Sequence, residues 1–213
     1  MPAQRRITRE AIVKEAVKII ARKGAGAVTF QAIATAFGVS KQAIIYWYPN
    51  KWALVADICL PFMREEADVL LPALARTSNA HQAIDAVIRT FVGHYLVRLP
   101  QFRMLYLPQP LGVSEPNEPN QQAALAPIHS VTSSVYTALQ DKIAADPTYS
   151  ADLNSRRAAV AIHMAAVGLV TMLAAADALG DPLVHAADDM VDAMIAVLAP
   201  RRVSEKPRRK SRI

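Results

Sequence analysis

Cysteine is almost missing from this 213-residue chain. Cys59 stands alone, so no internal disulfide can form, and a reducing compartment, the cytoplasm, is expected. Glycine is scarce, at seven residues, while Ala, Val, Ile and Leu dominate, a balance that favours helix. No stretch alternates apolar and polar residues as a half-buried strand does, and no internal repeat is present. The basic N-terminus lacks the apolar core and cleavage site of a secretory signal. Missing too are a Ser/His/Asp or Cys/His arrangement and a glycine-rich phosphate loop. No two histidines stand at i, i+4, and the single cysteine is remote from them in sequence. No metal site, no cofactor and no enzymatic activity are therefore expected, and an all-α enzyme is the weaker rival reading.

What the chain does have is charge, unevenly spread. Residues 1–55 carry nine Lys or Arg against Glu10 and Glu15, a net of +7. Residues 56–200 carry a net of −7, and residues 201–213 a net of +6. A basic front on an acidic body points to a polyanionic partner; a solvated charged face is the competing reading. Residues 158–179 form the one apolar run long enough to span a bilayer. Nearly half of it is Ala, and His163, Thr171 and Asp177 interrupt it, so a buried or intersubunit helix is expected and no membrane partner.

The apolar period is helical throughout, and an all-α fold is expected. Residues 8–23 read as an amphipathic helix, capped by Thr8 and stopped by Gly24 and Gly26. A second helix starts at Thr29 and ends at Gly38; a third is capped by Ser40 and ended by Pro49; Asn50 caps a fourth. The fourth should run over 50–75, broken or bent at Pro61 and stopped near Pro72. Further helices are expected at 80–98, 101–107, 121–144, 150–179 and 183–198. Pro108, Pro110, Pro116 and Pro119 mark residues 108–120 as an exposed loop, and residues 201–213 read as a disordered basic tail.

Two short helices joined by the Gly38-Val39 turn form a helix-turn-helix, whose second helix enters a DNA major groove. Ala34 must be small for the helices to cross, and Val39 and Ile44 must be apolar to pin one to the other. Lys41, Gln42, Ala43, Ile45 and Tyr46 are then free to face outward. Of the three consecutive aromatics, Tyr48 should turn inward, with Tyr46 and Trp47 toward DNA; core packing competes for Trp47. Arg5, Arg6 and Arg9 form a short basic arm that lies along the backbone or enters a minor groove, unless it is a frayed terminus.

As an ordered set, these residues resemble the TetR family of bacterial repressors over residues 8–55. The resemblance rests on Thr29-Phe30-Gln31-Ala32-Ile33-Ala34, on Ala34 to Ser40 with its Gly38-Val39-Ser40 turn, on Tyr46-Trp47-Tyr48-Pro49-Asn50-Lys51, and on Ala53-Leu54. The family usually carries Thr-Leu-Tyr where this chain has Ala43-Ile44-Ile45, so an unusual operator is implied. By this resemblance Lys41, Gln42 and Ile45 face bases, Ile45 toward a thymine methyl, and Thr29, Tyr46, Trp47 and Lys51 face phosphates. The implied organisation is a three-helix DNA-binding domain with a basic arm at 1–50, a larger helical effector-binding and dimerisation domain at 51–200, and the tail at 201–213.

The implied partners are a palindromic double-stranded operator, a second copy of the chain and an unknown small-molecule effector. Small residues on helix 150–179 and apolar residues on helix 183–198, Leu183 and Val184 among them, suit a four-helix dimer interface. Candidate effector ligands are the polar and aromatic groups within apolar helices: His94, Arg98, Arg103, Tyr106, His129, Tyr136 and His163. A ligand-released repressor is the expected function; a regulator without a ligand, or an activator, is the alternative.

Overall fold

The computed structural model describes residues 7–106, 121–149, 154–180 and 186–199. Among them are nine α-helices and no strand, in agreement with the all-α expectation. The helices are α1 (Arg9–Lys23), α2 (Phe30–Phe37), α3 (Lys41–Trp47), α4 (Lys51–Ala75), α5 (Ala80–Leu96), α6 (Leu99–Tyr106), α7 (Gln121–Ala144), α8 (Ser155–Leu179) and α9 (Ala187–Leu198). Arg5 and Arg6, the 108–120 loop, Leu183, Val184 and the 201–213 tail lie outside the described residues.

The starts of the first helices are set by side chains that take up their free N–H groups. The Thr8 hydroxyl accepts from the Ala11 N–H at 3.1 Å, Thr29 from Ala32 at 2.9 Å, and Ser40 from Ala43 at 3.3 Å. The Asn50 amide oxygen accepts from the Ala53 N–H at 2.8 Å. Gly38 ends α2 in the left-handed region, with φ 68° and ψ 35°. Its own N–H reaches the Thr35 carbonyl at 3.1 Å, and the following Val39 N–H bonds the Ala34 carbonyl at 3.0 Å. A Cβ added at Gly38 would meet nothing within 4 Å, so the glycine is needed for its backbone alone. Gly38→Ala is expected to cost about 1 kcal/mol, read from the urea midpoint, with helix content unchanged.

The chain forms two compact units, Met1–Val69 with His94–Val135, and Leu70–Gly93 with Tyr136–Ile213. In the first, Ile12, Ala16, Ile33, Ala34, Ile44, Tyr48, Leu54 and Ile58 close a core around α1 to α3 and the start of α4. Cys59 joins that core, and burial pushes its thiol up to about 11, which makes it a packing residue and not a reactive thiol. In the second unit, loops are tied to helices by single hydrogen bonds. The Lys142 ammonium donates to the Thr77 carbonyl at 2.5 Å, the Ala80 N–H to Asp146 at 2.9 Å, and the Tyr149 hydroxyl to the Leu198 carbonyl at 3.0 Å.

Three helix boundaries depart from expectation. Helix α4 is continuous through Pro61 and Pro72 and ends at Ala75. Both prolines are exposed, so each carbonyl that loses its donor is left on the solvent side, while Cys59, Met63, Leu70 and Leu74 bury the opposite face. Helix α8 starts at Ser155, not 150, because the Asn154 side chain accepts from the Arg157 N–H at 2.9 Å and fixes the start there. Helix α5 ends at Leu96, and α6 takes over at Leu99.

Helix α8 is long and apolar enough to cross a membrane by length and composition alone, yet 44% of that window is buried within the protein. Ala159, Ile162, Ala166 and Val170 face inward. Ala161, Met164, Gly168 and Met172 stand exposed at helical spacing on another side.

Candidate nucleic-acid interface

The recognition helix α3 is only seven residues long, and its two sides are sharply different. Ile44 is fully buried in the core of the first unit, with Val39 partly buried beside it. Lys41, Gln42 and Tyr46 are exposed, Tyr46 to 82%, and Ile45 is half-buried. Positions 41, 42, 45 and 46 fall on one helical face, so the groups expected to read DNA share one side. That side offers an ammonium, an amide, a branched apolar surface and a phenol, a set able to contact phosphates, base edges and thymine methyls.

Around it stand the two flanking candidates. Thr29 is exposed at the start of α2; its oxygen caps the helix, which leaves its hydroxyl proton for a second partner. Lys51 opens α4, where the positive end of the helix dipole disfavours a cation. Burial lowers its pKa, and its ammonium makes no ion pair among the described residues. A phosphate there would offset both costs.

The aromatic run divides three ways. Tyr46 is solvent-facing, Trp47 is half-buried against the core, and Tyr48 is fully buried. The Tyr46 and Trp47 rings meet edge to face, with centroids 5.7 Å apart. Trp47 therefore serves the core with part of its ring, and only its remaining edge is open to a partner.

Arg9 is not part of a free arm. Thr8 caps α1, so Arg9 is already helical, and its half-exposed guanidinium is paired within the unit. Its Nε and Nη2 lie 3.1 and 3.0 Å from Asp57 Oδ2, and Nη1 donates to the Trp47 carbonyl at 3.4 Å. The same guanidinium lies 4.5 Å from the centre of the Tyr48 ring. The Tyr48 hydroxyl donates to Asp57 Oδ2 at 2.7 Å. Burial, and after it the Asp57 carboxylate, push the Tyr48 phenol pKa upward. Asp57 was not among the residues expected at the site; nothing in its spacing sets it apart from a solvated position on α4.

Of the seven effector candidates, five lie in the first unit and two, Tyr136 and His163, in the second. Arg103 and His129 are exposed, and Arg98 is exposed with its guanidinium on the His94 carbonyl at 3.1 Å. His94 packs edge to face on Tyr95, and burial, then the nearby Arg98, lower its pKa. Tyr106 donates to Glu66 at 2.6 Å, and Tyr95 donates to the same oxygen at 2.5 Å. Glu66 is 3% exposed, and its burial raises the carboxyl pKa despite the two phenols. It was missed in the sequence, although an acid in register with Cys59, Met63 and Leu70 on a buried stripe is a legible anomaly. In the second unit the Tyr136 hydroxyl meets His163 Nδ1 at 2.7 Å. His163 is buried, stacks edge to face on Phe91, and burial pushes its pKa down to about 4.

A cavity of about 460 Å³ in the second unit is lined by His81, Asp85, Arg89, Asp192, Ile195, Ala196 and Ala199. None of the seven candidates borders it, and its Arg89 is paired with Asp85 at 3.1 Å and with Asp192. Among the described residues no cluster of three or more His, Cys, Asp or Glu is placed to hold a metal ion.

Residues 12–58 match the family model of bacterial regulatory proteins, tetR family. No curated protein matches the chain. Solved structures of similar fold cover nearly all of it. A transcriptional regulator FadR from Bacillus subtilis, in complex with stearoyl-CoA, has a TM-score of 0.64 at 15% identity, covering 91% of this chain and 98% of that one. AibR in complex with isovaleryl coenzyme A and operator DNA has a TM-score of 0.61 at 16% identity, covering 90% and 98%. A transcriptional regulator of the TetR/AcrR family from Thermobifida fusca YX-ER1 has a TM-score of 0.55 at 19% identity, covering 91% and 98%. At these identities the likeness is one of fold.

Proposed function

By residues 12–58 the chain belongs to the tetR family of bacterial regulatory proteins, and from that premise we propose that it is a homodimeric repressor released from a palindromic operator by a small-molecule effector. The carrying observation is the two-sided recognition helix. Ile44 anchors one side in the core, and Lys41, Gln42, Ile45 and Tyr46 are presented on the other. Thr29, Lys51 and the open edge of Trp47 flank that face as phosphate contacts. The protein acts by binding, in the cytoplasm where the operator is, and carries out no catalytic step.

In this reading residues 1–50 bind DNA, residues 51–200 bind effector and dimerise, and the 201–213 tail adds basic charge. A second copy seats on the exposed small and apolar residues of α8 (Ala161, Met164, Gly168, Met172) and of α9 (Ala193, Ala196, Val197). One seven-residue helix reads too few base pairs alone, whereas two in a dimer enter major grooves about 34 Å apart. Release follows if the effector binds a conformer whose recognition helices no longer match that spacing. Two of the structural neighbours hold acyl-coenzyme A thioesters, so those thioesters belong in the first effector screen. A regulator without a small-molecule effector is the second reading. It is favoured by the way Tyr106 with Glu66, and Tyr136 with His163, satisfy one another inside the protein.

The test is selection of bound duplexes from a random library at stated salt, followed by a metabolite screen for release. A palindromic consensus is expected. Lys51→Ala should weaken binding to every sequence and reduce the salt slope by about 0.9 for each phosphate no longer neutralised, close to 2 for a dimer. Gln42→Ala should change the base preference at one position per half-site and leave the slope alone. An unselective library would refute the reading.

A further inference from the structure

Asp57 lies on α4, six residues after Lys51, and its Oδ2 accepts from three donors on two other segments. Two belong to Arg9, the first residue of α1. The third is the hydroxyl of Tyr48, the residue that ends α3. Arg9 adds a second hold on the same end of α3, through the Trp47 carbonyl at 3.4 Å and the Tyr48 ring at 4.5 Å. The Tyr48 hydroxyl also lies 3.4 Å from the Arg9 carbonyl, within donating distance. One carboxylate and one guanidinium thus join α1, the C-terminal end of α3 and α4. The Tyr48 ring is fully buried, so the join is anchored at its inner end, while Arg9 and Asp57 remain partly exposed.

We propose that Asp57 is a positioning residue for operator binding, and that Arg9 serves with it inside the protein and not on DNA. The proposal rests on the DNA-binding reading above and adds to it the part that fixes the recognition helix in angle. Helix α3 has its N-terminal end set by the Gly38 turn and its middle set by Ile44. With seven residues and two turns, its C-terminal end would otherwise pivot about those points, and Tyr46 with it. Tying that end to α4 makes the reading face move as one body with α4.

The lock and plain electrostatics predict opposite signs. Asp57 is an acid packed against the basic first 55 residues, so by charge alone its removal should tighten binding to a polyanion. If it positions α3, its removal should weaken binding. Likewise, a cation that touches phosphate contributes to the salt slope, and a cation paired within the protein does not.

The experiment uses the full-length protein and the duplex selected above, with association constants measured over a range of salt. Four proteins are compared with wild type: Asp57→Ala, Arg9→Ala, Tyr48→Phe, and the Arg9→Ala, Asp57→Ala double variant. Circular dichroism establishes that each is folded, and Tyr48→Phe removes only the hydroxyl while keeping the buried ring. Each single variant is expected to lose affinity by about tenfold. Arg9→Ala should keep the wild-type salt slope, and the double variant should bind no more weakly than the weaker single one. Tighter binding by Asp57→Ala, or a slope reduced by about 0.9 per subunit in Arg9→Ala, would overturn the lock while leaving DNA binding intact. If wild type itself holds no duplex, the DNA-binding reading and the lock fall together.

Discussion

Lowering the pH from 7 to 4 is expected to cost the folded protein about 3 kcal/mol through one side chain, His163. The imidazole is buried, with Nδ1 at 2.7 Å from the Tyr136 hydroxyl and its ring edge to face on Phe91. A phenol donating to Nδ1 requires the neutral ring. The Arg156 guanidinium stands 5.1 Å from the Tyr136 ring centre. Burial pushes the His163 pKa down to about 4, while an unfolded chain titrates its histidines near 6.5. The unfolded state therefore binds the proton first. Stability from the neutral ring is complete above about pH 6.5 and is lost as the pH falls through 4, at about 1.4 kcal/mol per unit of separation. Glu66 acts with the opposite sign. Its folded pKa is raised, so the stability linked to its protonated form is present below the ordinary carboxyl pKa and is lost as pH rises. The wild-type profile sums the two, and a variant is needed to separate them. In His163→Gln the side-chain amide can accept from or donate to the Tyr136 hydroxyl and cannot titrate. The stability gap between wild type and His163→Gln, from urea midpoints, should shrink by about 3 kcal/mol between pH 7 and pH 4. A gap that does not change with pH would mean that His163 is not held neutral.

The parts of this fold that were legible in the sequence are those set by neighbours along the chain. Thr8, Thr29 and Ser40 were readable as caps because each accepts from an N–H three residues on. Gly38 was readable because few residues other than glycine take a φ near 68° at no cost. The outward face of α3 followed from Ile44 by the helical period alone. Pro61 and Pro72 misled because the local rule against proline ignores which side of the helix it occupies. On the exposed side, with Cys59, Met63, Leu70 and Leu74 buried opposite, the helix persists. The Arg9, Tyr48 and Asp57 cluster was hidden for another reason. Its members are 39 and 9 positions apart, and no periodicity links them. The effector candidates are the polar groups in apolar helices. That criterion found Tyr106, Tyr136 and His163, which are engaged inside the protein, and also exposed groups such as Arg103 and His129. It passed over Glu66 because an acid on an amphipathic helix is usually solvated.

Ile44→Ala should abolish operator binding and destabilise the first unit by about 2–5 kcal/mol, the usual cost of truncating a buried isoleucine to alanine. Ile44 is fully buried where α2 and α3 cross, among Ile12, Ile33, Ala34 and Tyr48. The crossing is close because Ala34 is small, so the space left by the missing methyl groups has few side chains able to move into it. Val39 is only partly buried and sits at the turn, too near the α3 N-terminus to stand in for packing at the middle of the helix. Helix α3 is far below the length at which a helix is stable alone, so what holds it is this packing and its two ends. Small helical units also have little stability to lose. The loss should appear as a lower urea midpoint and as duplex binding reduced to the level of a bare basic protein. Gln42→Ala, at an exposed position on the same helix, serves as the control and should stay within about 0.5 kcal/mol of wild type. If Ile44→Ala binds the selected duplex with wild-type affinity, Ile44 is not what pins the recognition helix, and the two-sided account of α3 fails at its buried side.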